Sequence, residues 1–188
     1  MSKLILISAP SGTGKTTMSR LLKSSDVRFS HVQVLTTRTV RASESGRGEK
    51  EQITLQELEQ LEKNNELVNK NEKDGVWYGI KKSAISAALD QKLTPVLEWD
   101  LNRLDHFDEF FPTFKVILEP ESLKEIKARV KRDNRDPNGN RLKGMIKEVK
   151  LIKSGFYDKK SDFRIINRGS ALNDTILKIR WAYFNSLN

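Results

Sequence analysis

LILISAPSGTGKTTMSRLL, residues 4–22, decides the reading of this chain. Leu4 to Ile7 is a short apolar run of β-prone residues, the pattern of a strand buried on both faces. Ala9 to Thr16 follow as a glycine-containing loop, and Met18, Leu21 and Leu22 then recur at helical spacing. Strand, glycine loop and helix in that order are the context a phosphate-binding loop requires. Gly12 and Gly14 let backbone N–H groups curl around an anion. The positive end of the following helix dipole faces the same anion. In the pattern G-x-x-x-x-G-K-[ST] the first glycine is replaced by Ala9. Ser11, Gly12, Thr13, Gly14, Lys15, Thr16 and Thr17 are therefore the expected ATP-binding set. Lys15 is expected on the β- and γ-phosphates, and the Thr16 hydroxyl on Mg²⁺.

Outward from this stretch, strand-like and helix-like segments alternate. His31 to Leu35, Glu66 to Asn69, Val76 to Ile80, Thr94 to Trp99, Phe114 to Leu118 and Phe163 to Asn167 read as strands. Thr54-Leu55-Gln56-Glu57 is a capping-box signature that opens a helix, and Ser122-x-x-Glu125 is another. Ser83 to Leu89, a basic stretch from Leu142 to Lys153, and Leu172 to Leu187 complete the helices. Thr36 to Gln52 reads as a long polar loop, and Asn134 to Asn140 as a breaker-rich one. The expected fold is α/β: a P-loop NTPase with a mainly parallel sheet covered by helices, in one domain of 188 residues.

Composition narrows the chemistry. The chain has no cysteine, which excludes disulfides, thiolate metal sites and cysteine nucleophiles. No apolar run approaches a membrane span, and residues 1–8 lack signal-peptide anatomy, so no membrane partner and a cytoplasmic location are expected. The net charge is +9, and Lys124 to Lys160 holds thirteen Lys and Arg against five acids. Such a patch attracts nucleotide phosphates or nucleic acid. Only Phe156 and Tyr157 could stack bases there, so nucleic acid is the less favoured partner. His31 and the Asp105-His106 pair have no metal-ligand spacing and read as structural or surface residues.

SAPSGTGKTT, then TTRxxRxxE (Thr36, Thr37, Arg38, Arg41, Glu44), then GVWYG (Gly75 to Gly79) resemble the guanylate kinase family, as do VLEWD and RIIN more weakly. The resemblance implies a core of 1–33 and 92–188, an acceptor-binding insert of about 34–91 and a lid of about 132–141. It implies transfer of the γ-phosphoryl of MgATP to a small-molecule phosphate acceptor, GMP or dGMP first, by a monomer or homodimer. On the acceptor side it assigns Arg38, Arg41, Glu44, Asn69, Tyr78 and Asp100. Arg38 is also assigned to catalysis with Lys15, as are Arg129, Arg132, Arg135 and Arg141 from the lid region. Glu98 joins Thr16 at the metal, and Asn167 lies near the adenine of ATP.

Several base-reading positions depart from the family. Val34 replaces a serine, Asn69 a glutamate and Ile80 a small hydroxyl residue, while Lys50, Glu51 and Gln52 stand where an aromatic is usual. Gly75 to Ile80 and the run around Glu51 to Leu55 also resemble ribose bisphosphate kinase, which takes a sugar phosphate instead, whereas Arg41 and the full TTRxxR are more like guanylate kinase. A P-loop protein acting on nucleic acid and a non-catalytic guanylate-kinase-like module are the further alternatives. The intact Lys15 and Thr16 count against the module.

Overall fold

The computed structural model describes residues 2–42, 44–132 and 139–188. In chain order its elements begin with β1 (Leu4–Ser8), α1 (Lys15–Ser25), β2 (Phe29–His31), β3 (Val34–Thr36), β4 (Lys50–Gln52) and α2 (Leu55–Lys63). Then come β5 (Leu67–Lys73), β6 (Val76–Lys81), α3 (Lys82–Asp90), β7 (Thr94–Glu98), a 3₁₀ turn (Leu101–Phe107) and β8 (Thr113–Pro120). The chain closes with α4 (Leu123–Arg132), α5 (Asn140–Lys153), β9 (Phe163–Asn167), a short 3₁₀ turn (Gly169–Ala171) and α6 (Leu172–Asn185).

Five strands form an all-parallel sheet in the order β2-β7-β1-β8-β9. All five residues of β1 are buried, because the sheet is covered on both faces. Alternate residues serve opposite layers. Leu4 and Leu6 face Leu97, Ile117, Trp99 and Phe107, whereas Ile5 and Ile7 meet Met18 and Leu22 of α1 and Ile179 and Tyr183 of α6. The fold class is therefore the expected α/β one. The C-terminal ends of β1 and β7 deliver Ser8 and Glu98 side by side, with Ile7 in register with Glu98. Ligands of open parallel sheets bind at that edge.

A second sheet, β4-β3-β6-β5, stands beside the first. Its β5–β6 hairpin turns at Asp74-Gly75, both with positive φ (54° and 76°), as a tight hairpin turn demands. Helix α2 covers it, Leu58 packing with Leu35 and Leu67. The expected capping box is complete: Thr54 N–H donates to Glu57 Oε2 (2.9 Å) and Glu57 N–H to Thr54 Oγ1 (3.2 Å).

The structure corrects three readings. His31 to Leu35 is not one strand; β2 joins the parallel sheet and β3 the second sheet, with Val32 N–H donating to Val96 O at the crossing. Alternating burial of Val32 and Val34 looks the same in either sheet, so the pattern alone could not reveal the break. Thr36 to Gln52 is not all loop, because polar Lys50–Gln52 pairs with β3 as an edge strand held by backbone bonds. The strand expected to end at Asn69 runs on to Lys73.

Candidate active site

The first glycine loop takes the shape its sequence demands. Gly12 (φ 80°) and Gly14 (φ 102°) adopt backbone conformations that side chains disfavour. A Cβ on Gly14 would lie 2.9 Å from Asn167 Nδ2, and one on Gly12 would press on Val130 and the Ile126 carbonyl. Gly14 caps α1, so the helix N-terminus opens onto the loop. Asn167, at the end of β9, is buried and donates to the Thr13 carbonyl (2.7 Å). Its amide thus fastens the loop from behind rather than lining the cavity, and Thr13 is buried with it.

A cavity of about 770 Å³ opens over this loop and runs to the second sheet. At the loop end it is lined by Ser11, Gly12, Gly14, Lys15, Thr16 and Thr17. The Lys15 ammonium donates to the Ala9 carbonyl; burial first, and the nearby Lys73 charge second, push its pKa down. Thr16 Oγ1 donates to Glu98 Oε2 at 2.8 Å. Burial raises the Glu98 pKa, against the opposing pull of Thr16, Lys50 and Lys15. Two hard oxygen donors thus meet beside the loop, a set suited to Mg²⁺, which usually takes one or two carboxylates with phosphates and water. Among the described residues no group of three or more His, Cys, Asp or Glu could hold a metal by itself.

At the other end stand Arg38, Arg41, Glu44 and Tyr78. Arg38 Nη2 donates to Glu44 Oε1 (2.7 Å), and Arg41 N–H to Glu44 Oε2 (3.1 Å), so one buried carboxylate sets both arginine positions. Burial would raise the Glu44 pKa, but Arg38 and the Arg41 amide outweigh it and hold the carboxyl ionised. Register explains the meeting with Tyr78: Thr36, two residues before Arg38, pairs with Tyr78 across β3 and β6. The buried Arg38 Nε–H has no acceptor among the described residues.

Other expected residues distribute unevenly. Asp100 lines the cavity, held by Asn71 Nδ2 (2.6 Å) and Lys73 Nζ (2.8 Å). Burial opposes its ionisation, but Lys73, Lys15 and Asn71 leave its pKa lowered. Asn69 does not line the cavity; it is buried, with Nδ2 2.9 Å from His106 Nδ1. Arg129, Arg132 and Arg141 reach the lining. Arg129 also bonds Glu125 and approaches the Gly12 carbonyl (3.5 Å), and Arg141 lies 3.6 Å from Asp74 at the hairpin turn. Arg135 lies outside the described residues, as do positions 133–138 of the expected lid.

The sequence reading missed Arg20, Lys50, Asn71, Lys73 and Trp99, all in the lining. Asn71 and Lys73 had a signal: they share a strand face with Asn69 once β5 is extended. Lys50 had one too, standing where the family has an aromatic, although only the pairing of β3 with β4 brings it in, and Arg20 lies one helical turn beyond Thr16 on α1. Cationic side chains dominate the lining, and the carboxylates there are Glu44, Glu98 and Asp100. Such a cavity favours polyanions.

The model of the family described as guanylate kinase matches residues 1–184. The chain is 27% identical over 168 residues to a guanylate kinase of Bdellovibrio bacteriovorus, covering 88% of this chain and 89% of that one. It is 32% identical over 150 residues to the guanylate kinase of Mycoplasmoides gallisepticum, covering 77% of each. A crystal structure of guanylate kinase from Anaplasma phagocytophilum superposes with a TM-score of 0.72 at 20% identity, over 95% of this chain and 82% of that one. That likeness establishes the fold.

Proposed function

The chain belongs to the guanylate kinase family and is a nucleoside monophosphate kinase; from that premise we propose that its cavity moves the γ-phosphoryl group of ATP onto the phosphate of GMP or dGMP. One observation supports this most. The glycine loop with Lys15 and the Thr16–Glu98 pair shares a single cavity with the Arg38–Glu44–Arg41 cluster and Tyr78. Donor and acceptor phosphates can therefore be held end to end.

In the reaction an acceptor phosphate oxygen forms a bond to the γ-phosphorus as the bond to the β,γ-bridging oxygen breaks. The products are ADP and a nucleoside diphosphate. The acceptor phosphate, with a second pKa of about 6, is already ionised near neutrality, so no side chain need remove a proton. What remains is positioning and charge neutralisation. Backbone N–H groups of 11–16 and Lys15 hold the donor phosphates. Arg38 and Arg41 grip the acceptor phosphate as planar forks, aided by the Tyr78 hydroxyl. Arg129, Arg132 and Arg141 neutralise charge on the transferring group. Thr16 and Glu98 would hold Mg²⁺, which when bound offsets charge on the β- and γ-phosphates. Loop and arginines alike suit intracellular nucleotides, in keeping with a cytoplasmic enzyme, and among the described residues no helix is long and apolar enough to cross a membrane.

A second acceptor, a small sugar bisphosphate, is favoured by one observation. Val34, Asn69 and Ile80, at the base-reading positions, are buried outside the cavity lining. ADP release from MgATP against GMP, dGMP, AMP, UMP, CMP, dTMP and ribose 1,5-bisphosphate tests both readings. Preference for GMP or dGMP is expected; turnover with the sugar bisphosphate alone would replace it. No turnover with any would refute both.

A further inference from the structure

Lys50 opens the edge strand β4, pairs with Val34, and sends its side chain into the cavity. Its surroundings are unusual for a lysine. The Nζ sits 5.6 Å from the Tyr78 ring centroid, and no hydrogen-bond acceptor or salt-bridge partner engages it among the described residues. Two other cations at the acceptor end have a carboxylate at hand: Lys73 has Asp100 and Arg38 has Glu44. Arg38 and Arg41 add like charge near Lys50, while Glu44 and Glu98 attract it from opposite ends of the cavity. A half-buried ammonium left in that position costs free energy unless an anion arrives to meet it.

We propose that Lys50 is a catalytic residue for this reaction: its ammonium binds the acceptor phosphate together with Arg38, Arg41 and Tyr78. The inference rests on the phosphotransfer reading above and adds a contact to it. Position along the cavity gives the role. Tyr78, whose ring Lys50 faces, stands beside Arg38, and Glu98 marks the metal side. An ammonium between them reaches acceptor-phosphate oxygens on the side turned toward the donor. There it offsets repulsion between two phosphate groups that must approach one another. Burial lowers the Lys50 pKa, consistent with an amine that awaits an anionic partner.

The test is Lys50→Met against Lys50→Arg, each with GMP binding by calorimetry without ATP and steady-state kinetics with MgATP. Loss of one charge-assisted contact predicts a roughly 10–100-fold fall in acceptor kcat/KM for Lys50→Met. The KM for ATP should change less than about two-fold, because uniform donor binding is untouched. Lys50→Arg should recover part of the loss, which a purely packing role would not allow. Thermal melting of Lys50→Met should match or exceed that of the parent chain, because a desolvated charge has been removed. GMP binding that weakens in Lys50→Met would support the inference even if the parent chain failed to turn over GMP, which would refute only the phosphotransfer reading. A parent and a Lys50→Met variant with equal GMP affinity and equal kcat/KM would overturn it, as would a parent that neither binds nor turns over GMP.

Discussion

Glu49→Gln tests how the two sheets are tied together at the cavity. Arg20, on the helix that follows the glycine loop, donates from Nε to Glu49 Oε1 (2.6 Å) and from Nη2 to Glu49 Oε2 (2.5 Å). The Glu49 side chain is 10% exposed and the Arg20 side chain 30%. Exposed pairs contribute about 0.2–1 kcal/mol, and breaking a fully buried pair costs about 3–5 kcal/mol. A fork with one buried and one partly wet partner falls between, so a loss of about 2 kcal/mol is expected. For a chain of this length that lowers Tm by about 4–8 °C. The Arg20 bond, ahead of opposing burial, lowers the Glu49 pKa from its ordinary 4.5. Stability from this group is therefore present above pH 4.5 and lost as the pH falls through the lowered value. Scanning calorimetry of both chains between pH 3 and 8 should show the full gap at neutrality and a narrowing gap in acid. An Arg20→Met, Glu49→Gln double-mutant cycle should return a coupling of about 1–2 kcal/mol. A Tm change under about 1 °C at pH 7, where the pair should be worth several degrees, would refute the reasoning.

Three further predictions concern the cavity. Gly14→Ala forces a side chain into φ 102° and against Asn167, so it should destabilise the fold by about 1–3 kcal/mol and weaken ATP binding at least ten-fold, read by melting and calorimetry. Arg38→Ala removes the forked phosphate contact proposed above; acceptor kcat/KM should fall about 10²–10³-fold with the ATP KM within about two-fold, in steady-state assays. Glu98 has a raised pKa, so its protonated form favours the fold below its ordinary 4.5 and that contribution fades as pH rises through the raised value. Glu98→Gln should flatten this pH dependence in melting curves, and should also weaken the dependence of turnover on Mg²⁺.

The glycine loop was legible because all its parts are contiguous: strand, Gly12, Gly14, Lys15 and the helix α1 follow one another in 22 residues. The parallel sheet was legible for a similar reason, since β1, β7 and β8 are buried on both faces and read as apolar runs. Polar edge strands carry no such mark. Lys-Glu-Gln in β4 becomes a strand only because β3 offers it backbone partners, and with it Lys50 enters the site. The break between β2 and β3 is likewise a tertiary event, decided by which sheet captures each half. Asn69 illustrates the limit for side chains. Its position on β5 followed from the sequence, but its engagement with His106, 37 residues away, did not.

The most direct measurement follows γ-labelled MgATP incubated with the chain and GMP, separating ATP, ADP, GDP and inorganic phosphate over time. The account predicts that label passes to GDP one for one with the appearance of ADP, and that Lys15→Ala abolishes the transfer. Label released only as inorganic phosphate, at a rate indifferent to GMP, would contradict it, as would undiminished transfer by Lys15→Ala.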